Sequence, residues 1–375
     1  MARILYLGCS LEGSTALYRA QALRRLGHAV TIADPFLAVD RQLNNRWLNA
    51  AHFRTGYRAL QWTMHDWVAH ICATLGELDT PDIVWVDSGE LLGPDCIRLL
   101  ASTGATTVLY NHDDPSGPRD GQRFATLRNA IPAYDLCVVV RDENIEELRA
   151  LGASQIMRVD RSYDEVMHAP YASDDEIPDS FRSEVAFIGT WMRNEPRDKL
   201  IADLITRGIP VSIWGARWGM SSFWPMLRPH HRGGNLNGRD YVAAMQGSKI
   251  CIGLLSSGNR DLHTTRTMEI PYAGGLLCAQ RTRDHLAMFE EGREAVFWND
   301  ADECAHWCRT LLDNTARREA IRVAGMQRVR ANGAGNQDIC ARVVESALQL
   351  RASAAMPTRE VRTLTPALAD VAVES

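Results

Sequence analysis

Short apolar runs alternate along the chain with stretches whose apolar residues recur every 3.6 positions. Residues 4–7 form the first run, closed by Gly8, and predict a strand buried on both faces. Ala16, Ala20 and Leu23 then share one helix face, which stops at Gly27. Residues 29–33 predict a second strand, and Leu60, Met64, Trp67, Ile71 and Leu75 mark a long helix. Further strands are expected at 83–86, 106–110 and 136–140, the last leading into a helix over 142–151 with Gly152 as its stop. The rhythm breaks at 171–183, where Asp174, Asp175, Glu176, Pro178 and Asp179 predict a linker between domains. It restarts with strands at 185–188, 211–214, 249–254, 276–279 and 295–298, separated by helices near 199–206, 241–245 and 265–273. A helix through Cys304 and Cys308 and two more near 317–330 and 338–350 follow. This is an α/β pattern of two doubly wound halves, 1–170 and 184–352, and such folds place ligands at the carboxyl ends of their strands. From 353 to 375 periodicity disappears, which predicts a flexible tail.

Composition narrows the classes. The 375 residues suit two domains, each able to bury a core. With 41 Lys and Arg against 46 Asp and Glu, the net charge of −5 gives no footprint for nucleic acid or an anionic membrane surface, although a local basic pocket remains open. Nine cysteines without the spacing of a disulfide framework point to a reducing compartment, and the expected location is the cytoplasm. A strand is predicted from the first residues, with no apolar stretch of signal-peptide length, and no later run is long enough for a transmembrane segment. Cys304 and Cys308 lie one helical turn apart beside Leu311 and Leu312. They read as core, with no third ligand at metal-binding spacing, so no metal site is expected. Nothing in the pattern specifies an oligomeric state.

The loops at the strand ends carry the candidate chemistry. Gly8 to Thr15 has glycine spacing like a phosphate-binding loop, but Ser14 stands where the lysine should be, so a nucleotide triphosphatase is excluded. The loop is a tight strand–helix turn or a backbone lip at Gly13 and Ser14 approaching a bound sugar or acceptor. Asn111-His112-Asp113-Asp114-Pro115 leaves an apolar strand at its carboxyl end, and His112 with Asp113 could act as base, orienting contact or electrostatic stabiliser; an Asx turn is the alternative. Asp87 and Glu90 form a second acidic edge. In the second half, Thr264, Thr265 and Arg266 open a helix whose N-terminus can receive a diphosphate. Glu269, one turn along, can accept from both hydroxyls of a ribose, or pair with Arg266 on the surface. Gly189, Thr190 and Arg193 repeat the order glycine, hydroxyl, cation, and Trp214 could wall a base or simply pack.

Met268-Glu269-Ile-Pro-Tyr-Ala-Gly274-Gly-Leu-Leu resembles the nucleotide-binding signature of GT-B glycosyltransferases. Arg266-Thr-Met-Glu269 with Gly274-Gly275, then Glu290-Glu-Gly292-Arg-Glu294 and the Phe187-Ile-Gly189-Thr190 loop, is similar to the CgeB-like (spore maturation) branch. The resemblance extends over about 183–350. It implies two Rossmann-like domains facing across a cleft, with an acceptor on the N-terminal one and a nucleotide-diphosphate-sugar on the C-terminal one. Glu269 would hold the ribose and Arg266 the diphosphate, with Gly274 part of the motif and no bound metal or other cofactor required. The function implied is a glycosyltransferase acting on an unidentified acceptor. A nucleotide-sugar 2-epimerase of the same fold and a non-catalytic nucleotide-sugar-binding subunit are the alternatives. The branch departs at Asp261, Leu262 and His263, where superfamily members carry an additional glutamate, and Arg193, Arg197 and Lys199 are the nearest candidates for a diphosphate-neutralising pair.

Overall fold

The computed structural model describes residues 1–75 and 80–355. Two six-stranded sheets are present, and every strand pairs in parallel. The first contains β1 (Arg3–Leu7), β2 (Ala29–Ala33), β3 (Ile83–Asp87), β4 (Thr106–Asn111), β5 (Leu136–Val139) and β6 (Ile156–Arg158), in the order β2-β1-β3-β4-β5-β6. The second contains β7 (Ser183–Ile188), β8 (Val211–Trp214), β9 (His231–Gly233), β10 (Ser248–Gly253), β11 (Leu277–Gln280) and β12 (Val296–Trp298), in the order β12-β11-β10-β7-β8-β9. Strand order therefore reverses between β1 and β3 and between β7 and β10. At such a switch point the flanking helices diverge and leave a crevice at the carboxyl ends of the strands.

The central strands are apolar on both faces because each face meets its own layer of helices. Leu5, Leu7, Val84, Val86, Leu109 and Val139 point into one core, while Ile4, Tyr6, Trp85, Val108, Tyr110 and Val138 point into another. The second sheet divides likewise, with Val185, Phe187, Ile213 and Ile252 on one side and Ala186, Ile188, Trp214 and Cys251 on the other.

Sequence periodicity misses β6 and β9. Both are three-residue edge strands, Ile-Met-Arg and His-Arg-Gly, too short and polar to leave an apolar run. The division into 1–170 and 184–352 also differs from the packing. Tyr163 already belongs to a core of the second sheet and stacks on Tyr272 at 3.8 Å. Conversely, the last helix, Asn336–Ala355, returns to the first sheet, where Ile339, Cys340, Val343, Val344 and Ala347 bury against Trp85, Tyr110 and Val138. Periodicity shows that a helix has an apolar face but not which sheet covers it. The chain thus crosses between the halves twice, at 159–182 and again before Asn336. Residues 171–183 contain two turns of 3-10 helix, Asp174–Glu176 and Asp179–Phe181, ahead of β7. The expected tail begins too early at 353, because the helix runs to Ala355; positions 356–375 lie outside the described residues.

Candidate functional site

The carboxyl ends of the two sheets face each other across a cavity of about 110 Å³. Tyr18, Arg19 and His112 line it from the first domain, Arg161 and His168 from the crossing segment, and Thr265 and Glu269 from the second domain.

Of the second-domain residues named from sequence, only Thr265 and Glu269 line this cavity; Gly189 and Thr190, on the loop after β7, and Arg266 beside them lie outside its lining. Gly189 lies where a Cβ would come within 2.9 Å of the Phe187 ring and 3.8 Å of Arg266 Nη2. Its carbonyl accepts from Trp218 Nε1 at 2.9 Å, and Gly215, at φ +147, passes so close that a Cβ there would overlap the Gly189 carbonyl. Thr190 donates to Asn235 Oδ1 at 3.2 Å. Arg193 is exposed and lies outside this arrangement. Arg197 enters it instead, donating to the carbonyls of Thr190 at 3.1 Å and Leu255 at 3.3 Å. Burial and then the adjacent Arg266 charge push the Arg197 pKa below its ordinary value.

Arg266 has no ion pair or hydrogen bond among the described residues, and its Nε is buried without a partner. The surface pair between Arg266 and Glu269 is therefore not formed. Two guanidiniums and the N-terminus of helix Thr265–Tyr272 converge on the Gly189 loop without a carboxylate on Arg266. Such a cluster favours an anion. Thr264 and Thr267 close a capping box at that end, which fixes the helix start.

Glu269 points from the same helix into the cavity. Tyr241 donates its hydroxyl to Glu269 Oε2 at 2.6 Å, and burial, reinforced by that carboxylate, raises the Tyr241 pKa so that the proton stays on the phenol. His168 Nε2 lies 3.8 Å from Glu269 Oε1, while its Nδ1 accepts from the Asp164 amide at 2.9 Å. Gly274 is not part of this wall. It terminates the other end of the helix, where its carbonyl accepts from Arg322 at 3.1 Å, about 12 Å away by the rise of eight residues. Trp214 is also absent from the cavity. Its ring is 2% exposed and packs in the second core beneath the guanidinium of Arg232, 5.8 Å from the ring centre.

On the first-domain side, Ser14 lies just outside the cavity lining as the N-cap of helix Thr15–Arg25, accepting from Leu17 N and donating to the Cys9 carbonyl. Gly13, at φ +84, faces Asn237 of the other domain, 3.8 Å from where its Cβ would stand. Arg19 forks onto Asp87 at 2.7 and 2.9 Å, Tyr6 donates to the same carboxylate at 2.7 Å, and the guanidinium lies over the Tyr110 ring at 4.5 Å. Burial alone would raise the Asp87 carboxyl, but Arg19 outweighs it and holds it below the ordinary range.

Neither ring nitrogen of His112 has a hydrogen-bond partner among the described residues, and Nδ1 is buried. Burial drives its pKa below the ordinary imidazole value, with Arg19 and Arg161 acting in the same direction and Asp113 and Asp87 opposing. Asp113 turns away from the cavity lining, towards Arg123 at 3.8 Å. Burial would raise its carboxyl, yet His112 and Arg123 bring it below its ordinary value.

The cleft is clamped by residues that sequence spacing does not connect. Asp261 is buried between Arg141 of the first domain and Arg161 at 3.0 Å, and both arginines donate to the His112 carbonyl, at 3.2 and 3.1 Å. Arg260, in the left-handed region at φ +53, forks onto Asp114 at 2.6 and 2.7 Å and Glu147 at 2.7 and 2.9 Å. The second-domain loop before Glu269 is thereby pinned to the loop that carries His112.

Arg19, Arg161, His168 and Tyr241 were not singled out by sequence. Only Arg19 left a signal: it falls inside the apolar face of Ala16, Ala20 and Leu23, where an arginine requires a buried partner. Away from the cleft, the pair Cys304 and Cys308 gains a third thiol from Cys278 on β11, all three buried with their sulfurs within 4.8 Å of one another. Sequence separation concealed that contact.

Comparison with known proteins bears on the fold. Residues 195–336 match the family model described as glycosyl transferase-like. A sucrose-phosphate synthase from Thermosynechococcus elongatus superposes with a TM-score of 0.66 at 11% identity, covering 94% of this chain and 100% of that one. An α,α-trehalose 6-phosphate synthase from Burkholderia multivorans gives 0.62 at 14%, covering 95% and 100%. The chain has the GT-B fold. Anabaena HepE, crystallised with UDP-glucose, gives 0.62 at 11%, covering 92% and 100%. Curated protein sequences yield no significant match. Among the described residues of this GT-B chain, no helix is long and apolar enough to cross a membrane.

Proposed function

We propose that the chain is a glycosyltransferase that moves a sugar from a nucleotide-diphosphate-sugar to an acceptor held on the first-domain side of the cleft. The observation that carries this reading is Arg266, a guanidinium without a partner beside Arg197 and a helix N-terminus, one turn from a carboxylate that faces the cavity. The diphosphate lies on the Gly189 loop between the two arginines, and the ribose hydroxyls donate to Glu269. As the bond from the anomeric carbon to the phosphate oxygen breaks, charge accumulates on the diphosphate, where both arginines and the helix dipole stabilise it. Because the protein supplies that positive charge, the transfer requires no metal ion. HepE was crystallised with UDP-glucose, which makes UDP-glucose the first donor to test and UDP the first product to test for binding. The CgeB-like placement, from Arg266-Thr-Met-Glu269, and a cytoplasmic location, from nine cysteines without a disulfide, belong to the same proposal.

Calorimetry against a panel of nucleotides and nucleotide sugars tests the donor site. Glu269→Ala is expected to weaken nucleoside-diphosphate binding about 10- to 100-fold, the size of hydrogen bonds to a charged group. Wild-type affinity in that variant would remove Glu269 from the ribose site. Glu269→Gln, which keeps an acceptor for Tyr241, separates the effect from misfolding.

His112 accepts the acceptor's hydroxyl proton in this scheme. Its lowered pKa keeps the ring neutral into mildly acidic solution, so activity should persist below the ordinary imidazole range and fall only at lower pH. The acid limb of kcat/KM should disappear in His112→Gln along with most of the rate; an unchanged profile would assign the limb to another group.

A further inference from the structure

The segment between β2 and β3 contains an amphipathic helix turned inside out. Helix Arg46–Thr55 has no buried residue. Phe53 leans inward against Arg123, 5.3 Å from its guanidinium, while Trp47, Leu48 and Ala51 occupy the opposite side by helical geometry. Trp47 is 72% exposed and Leu48 47%, and Trp62, on the following helix Gln61–Thr74, is 81% exposed. None of these side chains joins a core cluster.

The charge of the segment is equally distinctive. Between the exposed Asp40 and Asp66, positions 41–65 hold Arg41, Arg46, Arg54 and Arg58 and no Asp or Glu, within a chain of net charge −5. All four arginines are exposed, and none has an ion-pair partner among the described residues. Exposed tryptophan and leucine set among arginines without carboxylate partners, Arg46 lying 4.7 Å over the Trp47 ring, match the composition of helices that lie in the headgroup region of an anionic bilayer. A Debye length of about 8 Å at physiological salt lets this patch act independently of the chain's overall negative charge.

We propose that this segment docks the protein on a membrane surface rich in anionic lipid, with the arginines on the headgroups and the exposed Trp47, Leu48 and Trp62 at the acyl boundary. This stands on exposure and charge alone and does not depend on the donor assignment.

Co-sedimentation of the full chain with vesicles tests it. Wild type should bind equimolar phosphatidylglycerol and phosphatidylcholine vesicles, release them at high salt and ignore pure phosphatidylcholine. The R46E/R54E/R58E variant should lose roughly tenfold or more in affinity, since each arginine near an anionic surface contributes appreciably. W47S/W62S should lose binding while retaining its net charge. All five positions are exposed, and unchanged circular dichroism and melting temperature would show that both variants fold. Failure of wild type to prefer the anionic vesicles would overturn the proposal. So would vesicle binding that survives W47S/W62S and is matched by a single-stranded oligonucleotide, which would mark a surface for soluble polyanions.

Discussion

Arg266→Ala is expected to slow cleavage of the donor about 10²- to 10³-fold, the usual consequence of removing one group that stabilises charge developing in a transition state. Water can serve as acceptor, so release of nucleoside diphosphate from UDP-glucose reports the rate without knowledge of the natural acceptor. The loss should fall on kcat more than on KM, because the diphosphate gains charge as the glycosidic bond breaks. Arg266→Lys should recover part of the rate, keeping the charge but not the fork. Stability provides the control. Arg266 has no partner among the described residues and lies close enough to Arg197 to depress its pKa, so the alanine variant should melt no lower than wild type. An unchanged kcat with UDP-glucose shown to bind would exclude Arg266 from the leaving-group site.

The largest effect on stability is expected at Asp87. Both it and Arg19 are buried, at 5% and 4% exposure, and Tyr6 donates to the same carboxylate. Asp87→Ala leaves the Arg19 guanidinium without its counter-charge, which typically costs about 3–5 kcal/mol when a buried pair is broken on one side. Urea denaturation measures it, and a loss below the range of ordinary surface substitutions would mean that solvent reaches Arg19. The pH dependence follows from the depressed carboxyl. The stabilisation is complete above the ordinary carboxylate range and is lost as pH falls through the lower folded pKa. Replacing both partners by apolar residues of similar volume should restore much of the stability. It would also remove Arg19 from the cavity, separating its structural role from its place in the cleft.

Elements built from local apolar periodicity were legible. Ten of the twelve strands announce themselves as runs such as Ile83 to Asp87, in which all five residues are buried. The two that do not, β6 and β9, are held by pairing at a sheet edge rather than by burial. The candidate site was legible where chemistry and helix position coincide locally. Thr265, Arg266 and Glu269 lie within five residues, and their grouping depends only on helix geometry. Gly274 shows the limit of a motif, since belonging to the same signature as Glu269 did not bring it to the same place. Trp214 and Arg193 show another. A residue's type at a strand end does not state whether its side chain turns to the cleft, the core or solvent.

The sequence by itself determined the alternation of strands and helices, the class of fold, and the helix N-terminus that sets a guanidinium one turn before a carboxylate. Each of these follows from residues within one or two turns of one another. Only the tertiary structure decided that Arg197 rather than Arg193 joins Arg266, that Asp261 binds Arg141 and Arg161, and that the last helix belongs to the first sheet. The outward face of Trp47 and the burial of three thiols around Cys278 were decided there too. The physical reason is common to all of them. Ion pairs, burial and packing depend on distance in space, and parallel sheets joined by long crossovers bring together residues more than a hundred positions apart, as with Arg141 and Asp261.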